Sequence, residues 1–184
     1  MTERPSPDLL RKLLRYEPET GSLYWLERPL EMFKSERARN SWNTRYAGNP
    51  ALTADSGHGY LIGCVLNQMQ KAHRVIWAMQ TGAWPTDEVD HINRNRSDNR
   101  WANLRQATRS ENMRNVSSDP KSKSQYLGVS WYAAKQKWQA QISAGAWRKT
   151  IGRFDDEVSA ARAYDAAARL YHGEFANLNF SEGE

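Results

Sequence analysis

Val89-Asp90-His91-Ile92-Asn93, followed by Asn103-Leu104-Arg105 and then by Glu111-Asn112-Met113, is the stretch on which the reading of this chain turns. Val89 to Ile92 reads as a strand and Leu104 to Ala107 as its partner. Thr108-Arg109-Ser110-Glu111 is a capping box, which starts a helix with Asn112 in its first turns. Neighbouring side chains on a strand point to opposite faces, so Asp90 and His91 take different tasks. His91, with an ordinary pKa of about 6.5, is mostly neutral at physiological pH and suits a general base acting on water. Asp90 suits a metal instead, with Asn112 as a second, neutral oxygen ligand for one hard cation such as Mg²⁺ or Mn²⁺. Asn103 lies between loop and second strand, where its amide can tie the backbone of the Asp90-His91 strand in place. Together these are the parts that hydrolysis of a phosphodiester requires.

The intervening loop (Asn93-Arg94-Asn95-Arg96-Ser97-Asp98-Asn99-Arg100-Trp101) is too polar to be buried. Arg94, Arg96 and Arg100, with Arg105, Arg109 and Arg114, form a set suited to phosphates. His73, beside apolar residues at the end of a predicted strand, reads as a packed, hydrogen-bonded histidine. His58 and His172 read as structural or exposed.

Composition sets the outer limits. With 184 residues the chain holds one ordinary domain or two small ones, and eight Trp and eight Tyr help small domains build cores. A net charge of +5 and a pI near 9.4 point to a polyanionic partner. The single Cys64 excludes an internal disulfide and any Cys-rich zinc knuckle, and it fits a reducing compartment. No apolar run approaches a membrane span, and no apolar segment follows the N-terminal charge as in a signal peptide. The expectation is a soluble intracellular protein with no membrane role and no obligatory protein partner.

Four regions are expected. Residues 1–57 open with a helix over Pro7 to Leu14, a turn at Glu17 to Gly21 and a strand from Ser22 to Trp25. Pro29 to Thr53 reads as a long loop or a short irregular helix. The nearly balanced charges of this region favour a scaffold role over DNA contact through Arg37, Arg39 and Arg45. Residues 58–116 begin with a hairpin over Gly59 to His73 and a helix over Arg74 to Gln80, and then carry the stretch quoted above. Residues 117–124 lack apolar side chains and read as a linker, spanning at most roughly 25–30 Å when extended. Residues 125–181 hold three strands (Tyr126 to Trp131, Lys137 to Ser143, Arg148 to Phe154). A helix from Glu157 to His172 follows, capped by Asp155 and ended by Gly173.

Asp90-His91-Ile92-Asn93, then Asp98-Asn99-Arg100, Asn103-Leu104-Arg105, and Asn112 with Asn115 resemble the HNH endonucleases of the ββα-metal fold. The closer resemblance is to phage and intron-encoded homing enzymes, in which the third motif position is Asn. His73-Arg74-Val75-Ile76-Trp77 after a hairpin matches the lead-in of that group. The resemblance covers residues 58–116. It implies Asp90 and Asn112 as metal ligands, His91 as general base, Asn103 as the positioning residue, and products with 5′-phosphate and 3′-hydroxyl ends. For a phage-encoded enzyme it implies the cytoplasm of a bacterial host.

In the last region Val129, Trp138, Ala140, Ile142, Ile151 and Phe154 are the expected sheet contribution to a core under the helix. The opposite sheet face is then open, with Gln139, Gln141, Ser143 and Arg148 suited to reading base edges in a major groove. Residues 125–180 resemble the AP2 (ethylene-response-factor-type) DNA-binding domain. The matches include Gly128-Val129, Trp138, Ala140, Ile142, Ile151-Gly152, Ala163-Tyr164-Asp165 and Asn179-Phe180. Arginines that the plant pattern places on the first strand are here Leu127, Ser130 and Tyr132, and Thr150 replaces a tryptophan, so the fold carries over and the plant target sequence does not. Trp131 and Trp147 either contact DNA or cover the sheet edge.

The expected fold is thus α+β: a ββα-metal HNH domain followed by a three-stranded antiparallel sheet plus helix. The expected activity is metal-dependent, site-specific cleavage, by nicking, of double-stranded DNA. The rival is a non-catalytic DNA-binding regulator on an HNH scaffold, and a weaker rival acts on RNA.

Overall fold

Ser6 opens the first helix: its hydroxyl accepts the Leu9 N–H at 3.2 Å, and Pro7 stands where a missing N–H has no consequence. This helix, α1 (Pro7–Leu13), stops one residue short of the apolar run. Leu14 is extended and begins β1 (Leu14–Glu17), which pairs antiparallel with β2 (Ser22–Trp25). The turn between them passes through Gly21 at φ 74°, where a Cβ would lie 2.5 Å from the Arg100 nitrogen and 2.6 Å from the Asn99 carbonyl carbon. Only glycine lets that turn rest on the Asn99–Arg100 backbone. The computed structural model describes residues 4–112, 123–144 and 147–180, and the chain divides into two compact units, Met1–Gln106 and Ala107–Glu184. The expected linker lies outside the described residues over 117–122.

The polar stretch expected to be a loop or short irregular helix contains an ordered 11-residue helix, α2 (Glu36–Tyr46), capped by Ser35. None of its residues is buried. Trp42 attaches it instead, with ring centroids 5.8 Å from Trp25 and 6.2 Å from Phe33. β3 (Pro50–Ala51) then adds to β2, completing a first three-stranded sheet.

A second sheet comprises β4 (Ala54–Asp55), β5 (Leu61–Val65) and β6 (Gln68–Lys71). The two-residue turn Leu66–Asn67 has both residues at positive φ (48° and 62°), as a type I′ hairpin requires. α3 (Ala72–Thr81) starts directly from β6. His73 therefore sits in its first turn rather than at a strand end, and it is 4% exposed. β7 (Glu88–His91) and β8 (Leu104–Ala107) form a two-stranded sheet, and α4 (Arg109–Asn112) follows. The capping box forms: the Thr108 N–H reaches Glu111 Oε2 at 2.8 Å and the Glu111 N–H reaches Thr108 Oγ1 at 3.3 Å. One core joins Leu10, Leu13, Leu14 and Leu23 to Val65, Val75, Ile76, Val89 and Leu104. The N-terminal hairpin and the β7–β8 pair thus share a single apolar interior.

In the second unit β9 (Val129–Tyr132), β10 (Lys137–Ala144) and β11 (Trp147–Phe154) form an antiparallel sheet with β10 in the centre. α5 (Glu157–His172) packs on it through Ala160, Ala161, Tyr164, Ala167 and Ala168 against Val129, Ala140 and Ile142. Its cap is Asp156, whose Oδ1 accepts the Ser159 N–H at 2.7 Å. Asp155, expected in that role, instead pairs with Lys137. Gly128, at φ 72°, lets Tyr164 lie where a Cβ would be 2.1 Å from its ring. The buried Asp165 carboxylate closes the unit by accepting the Asn179 and Phe180 backbone N–H groups at 2.8 and 3.0 Å.

His73 has a consequence for acid stability. Burial first, then the neighbouring His91, Lys71 and Arg74 charges, push its pKa down to about 3. Between about pH 3 and 6.5 the unfolded chain takes up a proton at this position and the folded chain does not. Stability is therefore complete above about pH 6.5 and falls as the pH drops. The expected loss is about 2 kcal/mol by pH 5 from this group alone. Urea unfolding at pH 7 and pH 5 should show His73→Phe losing less stability than the parent; equal losses would remove His73 as a cause.

Candidate active site

β7 delivers Asp90 and His91 side by side, and both are buried (7% and 3% exposed). Asp90 Oδ2 accepts two hydrogen bonds from the Arg105 guanidinium on β8, from Nε at 3.0 Å and Nη2 at 2.9 Å. Arg105, expected among the phosphate-binding arginines, is turned inward with its side chain 13% exposed and bonded to Asp90.

His91 stands in an aromatic pocket. Its ring meets His73 edge-on at 5.1 Å and Tyr60 at 6.0 Å. Its Nε2 lies 3.0 Å from Asn99 Oδ1. An amide oxygen only accepts, so this contact puts the proton on Nε2 and the lone pair of the neutral ring on Nδ1. Burial, partly offset by Asn99 and the nearby Asp90 and Asp98, holds the His91 pKa below its ordinary value. The ring therefore stays neutral through physiological pH.

The loop between β7 and β8 is built by amide side chains. Asn103 Oδ1 accepts the Asn93 N–H at 2.9 Å and its Nδ2 donates to the Asp98 carbonyl at 2.7 Å. The Ile92 N–H reaches the Asn103 carbonyl at 2.9 Å. Asp98 accepts from Asn93 Nδ2 at 2.7 Å and from Arg100 at 2.6 and 2.8 Å, and the Arg100 bonds hold its pKa down to about 2. Arg100 is thus already paired within the loop.

Asn99, a motif residue with no role expected from sequence, hydrogen-bonds the His91 ring. It is 1% exposed, and its carbonyl accepts the Tyr16 hydroxyl at 2.8 Å. Burial pushes the Tyr16 pKa up to about 12, so the phenol remains a donor. The signal available in sequence was a neutral amide inside an otherwise charged loop; its partner was hidden because it depends on how the loop returns beneath β7.

The remaining cations divide by exposure. Arg94, Arg96 and Arg109 are exposed. Arg94 adopts φ 64°, and the Arg96 guanidinium lies over the Tyr60 ring at 4.9 Å while donating to the His58 carbonyl at 3.0 Å. Arg114 lies outside the described residues. Asn112 ends α4, with its N–H on the Thr108 carbonyl at 2.9 Å. The Asp90 carboxylate is a donor that suits a hard divalent cation, which keeps waters and phosphate oxygens as further ligands; Asn112 belongs to the second unit. Among the described residues no cluster of three or more His, Cys, Asp or Glu could hold a metal.

On the sheet of the second unit, Gln139 is 8% exposed rather than open, because Arg153 on the adjacent strand covers it and donates to its Oε1 at 2.9 Å. Arg153, absent from the expected set, stacks on Tyr132 at 4.3 Å. Gln141 is half-buried beside Thr150, and Arg148 is exposed opposite Ser143. Trp131 and Trp147 keep 38% and 42% exposure while meeting Trp138 and Tyr171 edge-on.

Residues 70–114 match the family model for HNH endonucleases. The AP2-like ethylene-responsive transcription factor TOE2 of Arabidopsis thaliana is 41% identical over 66 residues, which is 35% of this chain and 14% of that protein. APETALA2-like protein 2 of Oryza sativa subsp. indica is 40% identical over 63 residues, 34% of this chain and 14% of that protein. The chain thus spans only about 14% of the length of these curated relatives. No solved structure matches it significantly. The chain is therefore an α+β protein that combines an HNH endonuclease domain with a sheet-rich AP2-like part.

Proposed function

We propose that the protein is a metal-dependent, site-specific DNA endonuclease that nicks duplex DNA. The observation that carries this reading is His91: a buried, neutral imidazole held through Nε2 by Asn99, inside the segment that matches the HNH endonucleases. In this reading Nδ1 of His91 takes a proton from a water as its oxygen bonds to phosphorus and the bond to the 3′ oxygen breaks. Asn99 fixes the tautomer that leaves Nδ1 basic, and Asn103 fixes the loop that carries Asn99. Asp90 and Asn112 would hold one Mg²⁺ or Mn²⁺. When bound, that ion would act as a Lewis acid on the phosphate and the leaving oxygen. Exposed Arg94, Arg96 and Arg109 would take backbone phosphates. The open sheet face, with Arg148, Arg153 and Gln141 outward of the buried Gln139, would select the site in a major groove. Tethering that reader to a nuclease with little preference of its own raises the local concentration of the site.

The Asp90–Arg105 ion pair favours a second reading, because it engages the carboxylate meant for the metal. In that reading the chain is a non-catalytic, sequence-specific DNA-binding regulator. Kinetics separates the two. On supercoiled plasmid carrying the target, the parent protein should give open-circle product with Mg²⁺ or Mn²⁺ and none with EDTA. His91→Ala should lower the rate by several orders of magnitude while DNA affinity changes little. Binding without cleavage in either metal would support the regulator instead. Asn99→Ala should lower kcat by about 10- to 100-fold with KM nearly constant, as for residues that orient a catalytic side chain. An unchanged kcat would remove Asn99 from the mechanism.

A further inference from the structure

Arg28 has no part in the chemistry above, yet its surroundings are built with care. After β2 the chain turns at Leu26 to Pro29, and α2 brings Trp42 back against Trp25, ring edge to face at 5.8 Å and 82°. The Arg28 guanidinium lies over both indoles, 3.9 Å from the Trp42 centroid and 5.1 Å from that of Trp25. Asn43 clamps its backbone from both sides: Oδ1 accepts the Arg28 N–H at 2.9 Å, and Nδ2 donates to the Arg28 carbonyl at 3.1 Å. Nε is buried without a hydrogen-bond partner, and among the described residues no carboxylate pairs with this guanidinium. Burial disfavours its charge and pulls its pKa below the ordinary value. A half-buried cation with no counter-ion gains from a bound anion.

Space for that anion is present. Arg28 lines a cleft of about 620 Å³ together with Glu27, Arg39, Asn40, Asn43 and Thr44. The Arg39 guanidinium donates to the neutral Asn40 Oδ1 from Nε at 3.1 Å and Nη2 at 2.8 Å, so it is oriented without being neutralised. Two positioned guanidiniums, amides and a hydroxyl match a tetrahedral oxyanion. Glu27 also lines the cleft and subtracts one charge. That balance suits a singly charged phosphodiester better than the multiply charged phosphates of a free nucleotide. Both indole faces toward Arg28 are already covered by its guanidinium, which leaves no stacking platform for a base. Because Arg28 is held by stacking and by Asn43, little side-chain freedom remains to be lost on contact.

We propose that this cleft seats one backbone phosphodiester of duplex DNA, with the guanidiniums of Arg28 and Arg39 as its donors. The proposal rests on the DNA-binding reading of the chain and gives residues 27–44 a direct contact, beyond the scaffold role expected from their charge balance. Each phosphate neutralised contributes about 0.9 to the slope of log affinity against log salt. The test is fluorescence anisotropy of the full chain on a random-sequence duplex across a series of NaCl concentrations. Arg28→Met keeps an apolar stem on the indoles, and Arg39→Gln lies outside the stack and leaves it intact. Arg15→Gln removes one charge that is already paired with Glu17.

Arg28→Met and Arg39→Gln should each weaken binding several-fold and lower the slope. The double variant should lower it by no more than about 0.9, because one phosphate is served. Arg15→Gln should leave the slope in place. An unchanged slope in both cleft variants would overturn the proposal. Equal falls in those variants and in Arg15→Gln would overturn it too, by pointing to a general loss of charge. If the parent chain binds no duplex at all, the DNA-binding reading itself fails and the proposal falls with it.

Discussion

The hydrogen bond between Asn99 Oδ1 and His91 Nε2 is the contact on which the arrangement of the first unit depends. It joins the middle of a polar loop to the end of β7, and it works only if Asn99 stays where it is. Three features keep it there. Tyr16 on β1 donates to its carbonyl, Gly21 allows the N-terminal turn to lie against its backbone, and Asn103 fastens the loop one turn further on. The Trp101 N–H adds a bond to the Pro18 carbonyl at 3.3 Å. The N-terminal hairpin is thus more than a separate cap on the segment that matches the HNH endonucleases. Its apolar side completes the core, and its turn shapes the loop that orients His91.

Burial and polarity are balanced around this point. His91 and His73 lie edge to face, and in a desolvated pocket two neighbouring imidazolium charges are disfavoured. Both rings are therefore neutral at physiological pH, and only His91 has an amide partner that selects its tautomer. Asp90, on the other face of the strand, is balanced by Arg105. Removal of either member would leave a buried charge alone, which is the costly case. Both bonds fall on Oδ2, so the strand that carries His91 also carries a carboxylate with one oxygen engaged by a cation.

Much of this was legible in the sequence where local pattern and chemistry agree. The spacing of Asp90, His91, Asn103 and Asn112 placed the β7–β8 pair and the start of α4, and the capping box at Thr108 forms with both bonds. Helix α5 runs over Glu157 to His172 as its alanine periodicity implied, with the cap moved one residue to Asp156. What escaped notice depends on contacts between distant residues. Helix α2 buries no residue and so has no apolar period; stacking on Trp42 holds it. Arg105 looked like one more surface cation because nothing local shows that it turns toward Asp90. Gln139 looked open because strand alternation does not reveal that Arg153 lies across it. Asn99 and Arg28 share this character, each being defined by partners many residues away.

The tautomer and charge of His91 test the account most directly, and they can be read without cleavage. Long-range ¹H–¹⁵N spectra of ¹⁵N-histidine-labelled protein at pH 7, assigned with His91→Ala, distinguish protonation at the two ring nitrogens. The account predicts a neutral His91 with its proton on Nε2, and a mixture of tautomers in Asn99→Ala. A neutral ring protonated on Nδ1, or an imidazolium at that pH, would contradict it.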